Sequence, residues 1–292
     1  MLKLYRRYIE PRVSAPVLAV GLGVIFILGS IVLSTHSLFA FVSLQGLVIV
    51  GGGVIAVAFL SFEAEDVRKA LDTVAALFKE RHGPPQDTLH RDMLEIIAWA
   101  YMVKEKGMRR LESSLAKTGI ADPFVKYGLN MVVSGYGARD VRVMMETAAD
   151  ACQDRDIVPV EILQSMASHA PAFGMIGTLV GMVAMLCSLD DTVSSIGGSL
   201  SVSFLSTLYG VVSARLVYIP AAAKLRQTVA KRRFRNQMVT EGMVMLVSNK
   251  TPMYIQDRLN SFLRPERHDY LDSLSGESRP VPRKPDLKVV AA

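Results

Sequence analysis

Two stretches of this chain combine small residues with hydroxyl groups inside long uncharged runs. The first, "PAFGMIGTLVGMVAML", places Gly174, Thr178 and Gly181 on one side of a helix. Gly177 lies beside them. The residues that share a face in the second stretch are Ser203, Ser206, Thr207, Gly210 and Ala214. Small residues let apolar helices approach closely, and each hydroxyl then needs a hydrogen-bond partner or a water molecule. The pattern fits either a tight helix contact or a polar path between two helices.

The sequence contains no other group of residues with the spacing of a reactive site. Cys152 and Cys187 lie far apart and have no CxxC or Cys/His spacing, so we interpret both as buried thiols without a metal. The glycines lack the Lys-Ser/Thr ending of a phosphate-binding loop. No nucleophile, base and orienting group occur together. We therefore expect no catalytic residue, no metal site and no cofactor, which is not the pattern of an enzyme.

Long apolar segments carry the two stretches and indicate a membrane protein. Among Asp, Glu, Lys, Arg and His, residues 14–61 contain only His36, residues 162–189 contain only His169, and residues 192–214 contain none. A helix that spans a membrane needs about 20 apolar residues. Four spans are therefore predicted: Ala15–Leu33, Ala40–Phe62, Pro171–Leu189 and Leu200–Ala223.

The distribution of Lys and Arg predicts how the spans are oriented. The segment before the first span has four of these residues, the segment between the second and third spans has fourteen, and the tail has fourteen. The connections "STHSLF" and "SLDDTVSSIGGS" have none. Because Lys and Arg accumulate on the cytoplasmic side, we predict an all-α integral membrane protein with both termini and its central domain in the cytoplasm.

This topology divides the chain into five predicted parts. They are a basic N-terminus (1–14), a hairpin of two spans (15–62), a helical cytoplasmic domain (63–168), a second hairpin (169–223) and a basic, partly disordered tail (224–292). In the central domain, Asp87 or Thr88 starts a helix that ends at Gly107. Asp122 followed by Pro123 starts another.

The tail contains a basic cluster, "KRRFR", at residues 231–235. Such a cluster can bind nucleic acid or the anionic headgroups of a membrane. It follows the fourth predicted span by only a few residues, so we interpret it as a lipid contact and expect no nucleic-acid partner. Arg215, inside the fourth span, has two readings: its side chain extends to the headgroups, which we favour, or it has a gating role.

The four predicted spans contain no Asp or Glu. An ion path through a membrane normally needs an ionisable group at depth. If this chain lines such a path, the carboxylate must come from another protein.

The apolar stretches resemble a known family. "PAFGMIGTLVGMVAML" followed by "DD", and then "STLYGVVSARLVYIPAAAKL", are similar to the MotA/PomA family of flagellar stator subunits, within the MotA/TolQ/ExbB proton channel superfamily. The sodium-driven PomA branch is the most similar. The order of two spans, a long loop and two more spans also fits, whereas TolQ and ExbB have a single span before the loop.

The resemblance implies a motility protein of the bacterial inner membrane that couples ion influx to torque. In this family a pentameric ring surrounds a dimer of MotB or PomB, whose single span carries the ion-binding aspartate. The transported ion is Na⁺ or H⁺, and no cofactor is involved. Two rival functions stay open: a non-flagellar energiser of an envelope or defence complex, and a membrane scaffold without ion conduction.

The resemblance also assigns residues. The family's two torque prolines correspond to Pro171 and Pro220, and its sodium-type threonines to Thr178 and Thr207. The ion pathway is expected to include these threonines together with Gly174, Gly177, Gly181, Ser203 and Ser206. In "KEKGMRRLE", the charged pair that contacts the rotor protein FliG corresponds to Lys104 and Glu112, with Arg109 and Arg110 added beside it.

Overall fold

The computed structural model describes residue 29 and residues 41–78, 87–118, 122–187 and 193–263, and every regular element in these ranges is helical. The helices are α1 (Leu44–Leu47), α2 (Gly53–Ser61), α3 (Ala64–Phe78), α4 (Asp87–Lys106), α5 (Met108–Thr118), α6 (Pro123–Val133), α7 (Ala138–Cys187), α8 (Val193–Val212), α9 (Ile219–Val247) and α10 (Pro252–Asn260). A first π-helical segment, Val48–Gly52, joins α1 to α2, and a second, Ser213–Tyr218, joins α8 to α9.

Three described stretches are long and apolar enough to cross a membrane. One is Leu44–Ser61, and the others lie within Ala138–Cys187 and Ile196–Val247. They coincide with the second, third and fourth predicted spans. The predicted first span lies outside the described residues except for Gly29. The all-α prediction is confirmed for the part of the chain that the structure describes.

The third and fourth predicted spans are parts of longer helices. The third occupies the C-terminal part of α7, which is 50 residues long and contains Pro159 and Pro171. The fourth lies in α8, the second π segment and the start of α9. The apolar composition marks where a helix can enter a membrane, but it does not mark where the helix ends.

The described residues form two compact units. The first contains residues up to 78 together with 152–232, and it includes all three apolar stretches. Its core is rich in small side chains, with Ala58, Ala70, Ala170, Ala214 and Ala221 buried beside larger residues such as Ile162 and Leu163. Small buried residues allow the helix backbones of this unit to lie close together.

The second unit contains residues 87–118, 122–151 and 233–263. Its core is built from larger side chains, including Met93, Ile96, Leu129, Met145 and Met243, all almost completely buried. The predicted helix start at Asp122 is confirmed, because its side chain accepts hydrogen bonds from the backbone N–H groups of Phe124 and Val125 at 2.8 and 3.2 Å.

Gly107 separates α4 from α5, as the sequence predicted. Its φ of +76° lies in the left-handed region that favours glycine. The Gly107 N–H donates to the carbonyl of Val103 at 3.0 Å, and the Arg110 N–H donates to the carbonyl of Gly107 at 3.2 Å. One helix therefore ends and the next begins within a single turn.

The basic cluster at 231–235 is engaged in ion pairs. In the first unit, Arg232 pairs with Asp156 at 2.9 Å. In the second unit, Arg233 pairs with Asp150 at 3.4 Å, and Arg235 binds both Asp92 and Asp122. The prediction that this cluster serves chiefly as a lipid contact did not anticipate these carboxylate partners, which lie far away in sequence.

The two cysteines are not buried thiols, contrary to the sequence-based interpretation. Cys152 is half-buried and Cys187 is exposed. Cys187 ends α7 beside Val183 and Leu186, which are each 60% exposed. This surface is apolar but uncovered within the chain, so an apolar residue type did not imply burial here.

Candidate functional site

The small residues of α7 face α8 at very close range. A methyl group placed on Gly174 would lie 3.0 Å from the Cα of Thr207 and 3.1 Å from the carbonyl oxygen of Ser206. At Gly181 it would lie 2.9 Å from the Ser199 carbonyl oxygen, and at Gly177 it would overlap the side chain of Ser206. The prediction that the third span has a close neighbour is confirmed, and that neighbour is the fourth span.

Thr178 and Thr207 meet across this contact. Their hydroxyl oxygens are 2.6 Å apart, and either can be the donor. Each hydroxyl is also within reach of the Gly174 carbonyl oxygen, at 3.1 Å from Thr178 and 3.2 Å from Thr207. Two hydroxyls and one carbonyl thus place three oxygen atoms together. We call this group the threonine cluster.

The two predicted serines are deeper in the contact than the threonines. Ser203 and Ser206 are 1% and 0% exposed, whereas Thr178 and Thr207 are half-buried. The Ser203 hydroxyl donates to the carbonyl of Thr178 on α7 at 3.2 Å and to that of Ser199 on α8 at 3.3 Å. The Ser206 hydroxyl donates to the carbonyl of Ser203 on α8 at 2.9 Å and to that of Gly174 on α7 at 3.4 Å. The serines therefore hold the helices together, and the threonines lie at the accessible edge.

The chemistry that this group can perform follows from its oxygen atoms. Hydroxyl and carbonyl oxygens are suitable ligands for a hard cation such as Na⁺. Three oxygens from one side leave the rest of a coordination shell to be completed by water or by another protein. The described residues contain no group of three or more His, Cys, Asp or Glu side chains that could hold a metal ion by itself.

Tyr209 is a polar contact of the fourth span that sequence reasoning missed. Its hydroxyl donates to the carbonyl of Phe41 at 2.6 Å and accepts from the N–H of Ser43 at 2.8 Å. These bonds satisfy backbone groups just before α1 and tie the start of the second span to α8. A lone tyrosine inside an apolar run was the available clue, because a buried phenol needs a hydrogen-bond partner.

The two predicted prolines differ in their local structure. Pro171 lies within α7 and is half-buried. Pro220 is the second residue of α9, and only Ile219 separates it from the second π segment. The N–H of Ile219 donates to the carbonyl of Ala214, five residues back. Proline has no N–H, and its ring collides with the carbonyl four residues earlier. The wider π turn accommodates this ring, and π turns in α-helices are frequent at functional sites.

The predicted rotor-contact residues are all in the second unit and all exposed. Lys104 lies in the last turn of α4, and Arg109, Arg110 and Glu112 lie at the start of α5. None of the four forms an ion pair with another residue that the structure describes. The turn at Gly107 thus carries a group of exposed charges that form no ion pair with the described residues.

The exposed surface of the first unit is unusual for a water-soluble protein. Large apolar side chains of α7 and α8 face outward, and several are more than half exposed: Met175, Leu179, Val183, Leu186 and Phe204. The hydroxyl groups, by contrast, point toward the neighbouring helix. Contiguous exposed apolar surface of this kind marks contact with lipid or with another protein.

Comparisons with known proteins agree with these observations. The sequence profile of the MotA/TolQ/ExbB proton channel family matches residues 116–238. Motility protein A of Borreliella burgdorferi is 30% identical over 262 residues, which cover 90% of this chain and 98% of that protein. Chemotaxis protein PomA of Vibrio alginolyticus is 28% identical over 241 residues, which cover 82% of this chain and 91% of that protein.

Solved structures share the fold. The flagellar MotAB stator complex from Bacillus subtilis matches with a TM-score of 0.74 at 24% identity, covering 91% of this chain and all of the matched chain. The C. jejuni MotAB structure matches with a TM-score of 0.75 at 20% identity, covering 86% of this chain and 96% of the matched chain. The chain therefore belongs to the MotA/TolQ/ExbB proton channel family, as a membrane-embedded channel subunit of the flagellar stator type and not an enzyme.

Proposed function

We propose that this chain forms an ion channel with a single-span partner of the MotB/PomB type, and that the ion binds between that partner and the threonine cluster. The observation that carries the proposal is the meeting of the Thr178 and Thr207 hydroxyls with the Gly174 carbonyl at a half-buried edge. A charge at membrane depth costs several kcal/mol unless it is coordinated. Three oxygens supply part of that coordination.

The partner must supply the remaining charge. The described residues of the three apolar stretches include no Asp or Glu at the level of the threonine cluster. A cation held only by neutral oxygens keeps its full charge in a low-dielectric site, whereas a carboxylate neutralises it. A membrane aspartate on the partner helix fits this requirement, and the outward-facing apolar residues of α7 and α8 give that helix a surface to pack against.

We further propose that the ion is Na⁺. A proton needs only the carboxylate, while a dehydrated Na⁺ needs several oxygen ligands. Two threonine hydroxyls that converge on one carbonyl supply such ligands. Residues of the deeper contact, namely Gly174, Gly177, Gly181, Ser203 and Ser206, keep α7 and α8 close enough for the threonines to meet.

The membrane placement follows from the charge distribution. We propose that both termini and the second unit are in the cytoplasm of a bacterial cell and that the spans are in the inner membrane. We also propose that several copies of the chain form a ring around the partner, five as the family resemblance implies. In this proposal Pro171 and Pro220 form the hinge that links ion binding to helix movement. The exposed charges near Gly107 contact the rotor protein FliG.

The test is motility in cells that lack their own stator genes. Co-expression of this chain with its MotB-type partner restores swimming, and swimming speed at fixed pH rises with external sodium. Replacement of the partner's membrane aspartate by asparagine abolishes swimming while both proteins remain in the membrane. Full swimming with that asparagine variant would contradict the channel proposal, and speed independent of sodium would contradict the choice of ion.

A further inference from the structure

The first unit contains an open groove of about 810 Å³ whose arginines have no part in the proposed ion path or torque. It lies between α7 and the segment that begins at the second π turn and continues into α9. Its walls are mainly alanines, with Pro171 and Ile219. Its polar lining is supplied by Gln164, Ser168, Arg215, Arg226 and Gln227. No Asp or Glu lines the groove.

Two cations therefore share one groove whose described lining residues include no carboxylate. Neither Arg215 nor Arg226 forms an ion pair with a residue that the structure describes, whereas Arg232 pairs with Asp156. Both arginines are exposed in the isolated chain. All three arginines belong to the first unit, and the two in the groove line it together.

The position of Arg215 favours a bound anion. It lies in the second π segment, where its neighbours in sequence are apolar. A guanidinium inside a membrane helix is unfavourable unless it reaches the headgroup layer or is neutralised. Arg226 follows eleven positions later, about 16 Å along a helix at the usual rise per residue. Two arginine side chains that extend into one groove from these positions can approach a single group between them.

We propose that this groove binds the phosphate of an anionic phospholipid from the cytoplasmic leaflet. Guanidinium groups bind phosphate through paired, charge-assisted hydrogen bonds. Gln164, Ser168 and Gln227 supply further hydrogen-bonding groups for the glycerol and headgroup oxygens, and the exposed Ile219 supplies apolar surface for the start of an acyl chain. Basic pockets between membrane helices on the cytoplasmic side are suited to such headgroups.

This inference rests on the membrane placement in the proposed function, but not on ion transport or torque. The experiment uses the full chain purified with its partner in a mild detergent, and the probe is phosphatidylglycerol added at increasing concentration. Native mass spectrometry counts the phospholipids retained per chain, and a thermal unfolding curve reports the stabilisation that they provide. Arg215→Gln and Arg226→Gln each lower the apparent affinity roughly tenfold, as expected for the loss of one charged hydrogen bond.

Lys224→Gln is the matched control. Lys224 carries the same charge on the same helix, but it does not line the groove. Retention of phosphatidylglycerol unchanged in Lys224→Gln and reduced in both arginine variants supports the site, as does restored binding in Arg226→Lys. Circular dichroism of each variant verifies that its helices remain intact.

Three outcomes would overturn the proposal. Equal losses in Lys224→Gln and in the arginine variants would indicate general surface charge. Stabilisation by inorganic phosphate equal to that by phosphatidylglycerol would indicate a free-anion site. Dissociation of the chains in Arg215→Gln, without a change in retained lipid, would indicate that the groove contacts a carboxylate of a second copy. None of these readouts measures swimming. Failure of the lipid site can therefore be distinguished from failure of the proposed function.

Discussion

At the scale of single residues, the hydrogen-bond arrangement of the threonine cluster permits an ion without a large rearrangement. The two hydroxyls have two protons between them, and one proton already lies in the 2.6 Å contact between Thr178 and Thr207. The other donates to the Gly174 carbonyl, a common way for threonine to satisfy itself in a helix. Lone pairs on both hydroxyls remain available. A cation that binds them displaces at most one neutral hydrogen bond, worth about 1 kcal/mol.

Removal of either hydroxyl tests this arrangement. We expect Thr178→Val and Thr207→Val, which keep the shape of the side chain, to raise the sodium concentration for half-maximal swimming speed roughly tenfold, equivalent to about 1.4 kcal/mol. Thr178→Ser and Thr207→Ser keep the oxygen and serve as controls, with values near the native one. The measurement is speed against external sodium at fixed pH. A native sodium dependence in both valine variants would leave the threonines as packing residues.

The ion pairs of Arg235 with two carboxylates lead to a second prediction, on how the stability of the second unit depends on pH. Burial opposes ionisation of Asp122, but the hydrogen bond and charge of Arg235 outweigh it, so the pKa of Asp122 lies below its ordinary value of 3.8. A lowered folded-state pKa stabilises the protein above the unfolded-state pKa, and this stabilisation is lost as pH falls through the folded-state value. The second unit therefore loses stability below about pH 4.

Asp122→Asn isolates that contribution. Asparagine still caps α6 well, so the loss reflects the charge pair and amounts to about 1 kcal/mol at neutral pH, a modest value because Asp122 is partly exposed. Thermal unfolding of the full chain in detergent, at several pH values from 7 to 3, measures it. Asp154→Asn, at an exposed position without an ion pair among the described residues, is the control. A pH profile of Asp122→Asn parallel to the native one would refute the assignment.

At the scale of helices, the sequence predicted locally encoded boundaries better than helix lengths. The Asp122–Pro123 start and the Gly107 break were both identified, because a side-chain cap and a left-handed backbone are local properties. The length of α7 could not be predicted from the same rules. A helix often ends before a proline, yet α7 continues through Pro159 and Pro171, where Val160, Ile162 and Ala170 are buried in the core. Tertiary packing overrides the local preference.

A third prediction concerns the second π segment and the proline that follows it. Pro220→Ala restores an N–H and removes the ring that requires the wide turn, so the segment is expected to return to regular α-helix. This return shifts the register of α8 relative to α9 and is expected to abolish torque while the protein still assembles in the membrane. Pro171→Ala is expected to act in the same direction.

Pro159→Ala provides the comparison, since Pro159 also lies inside α7 but was not assigned a role. Swimming assays measure torque, and co-purification with the partner measures assembly. Native swimming in both Pro171→Ala and Pro220→Ala would eliminate the hinge. Loss of co-purification in these variants, with Pro159→Ala unaffected, would show that the two prolines serve assembly.

At the scale of the whole molecule, the sequence could identify what a local pattern or a family motif encodes, and it could not identify pairings between distant residues. The stripes of glycine and hydroxyl residues predicted two facing helices, and α7 and α8 do face each other. The pairing of Arg235 with Asp92 and Asp122 spans more than a hundred residues and has no local signature. The groove that joins Arg215 to Arg226 is likewise visible only after folding.

The last prediction concerns the exposed charges near Gly107. Lys104 and Glu112 are exposed and form no ion pair with the described residues, so their removal costs the fold little. Exposed charges can still orient a partner and accelerate its association. We expect Lys104→Glu and Glu112→Lys each to impair swimming, without a change in the thermal unfolding of the chain. A charge reversal on the facing surface of the rotor protein then restores part of the swimming.

Lys126→Glu is the matched control, because Lys126 is an exposed cation of the same unit outside this turn. Lys126→Glu changes the net charge of the unit by the same amount as Lys104→Glu, but at a different position. A difference between the two variants therefore reports the position of the charge. If Lys126→Glu impaired swimming as strongly as Lys104→Glu, a diffuse electrostatic attraction would explain the effect. If the Lys104 or Glu112 reversal instead lowered the unfolding temperature, these charges would belong to the fold. Rescue by the rotor variant is expected only for a direct contact, since charge steering alone has no preferred partner residue.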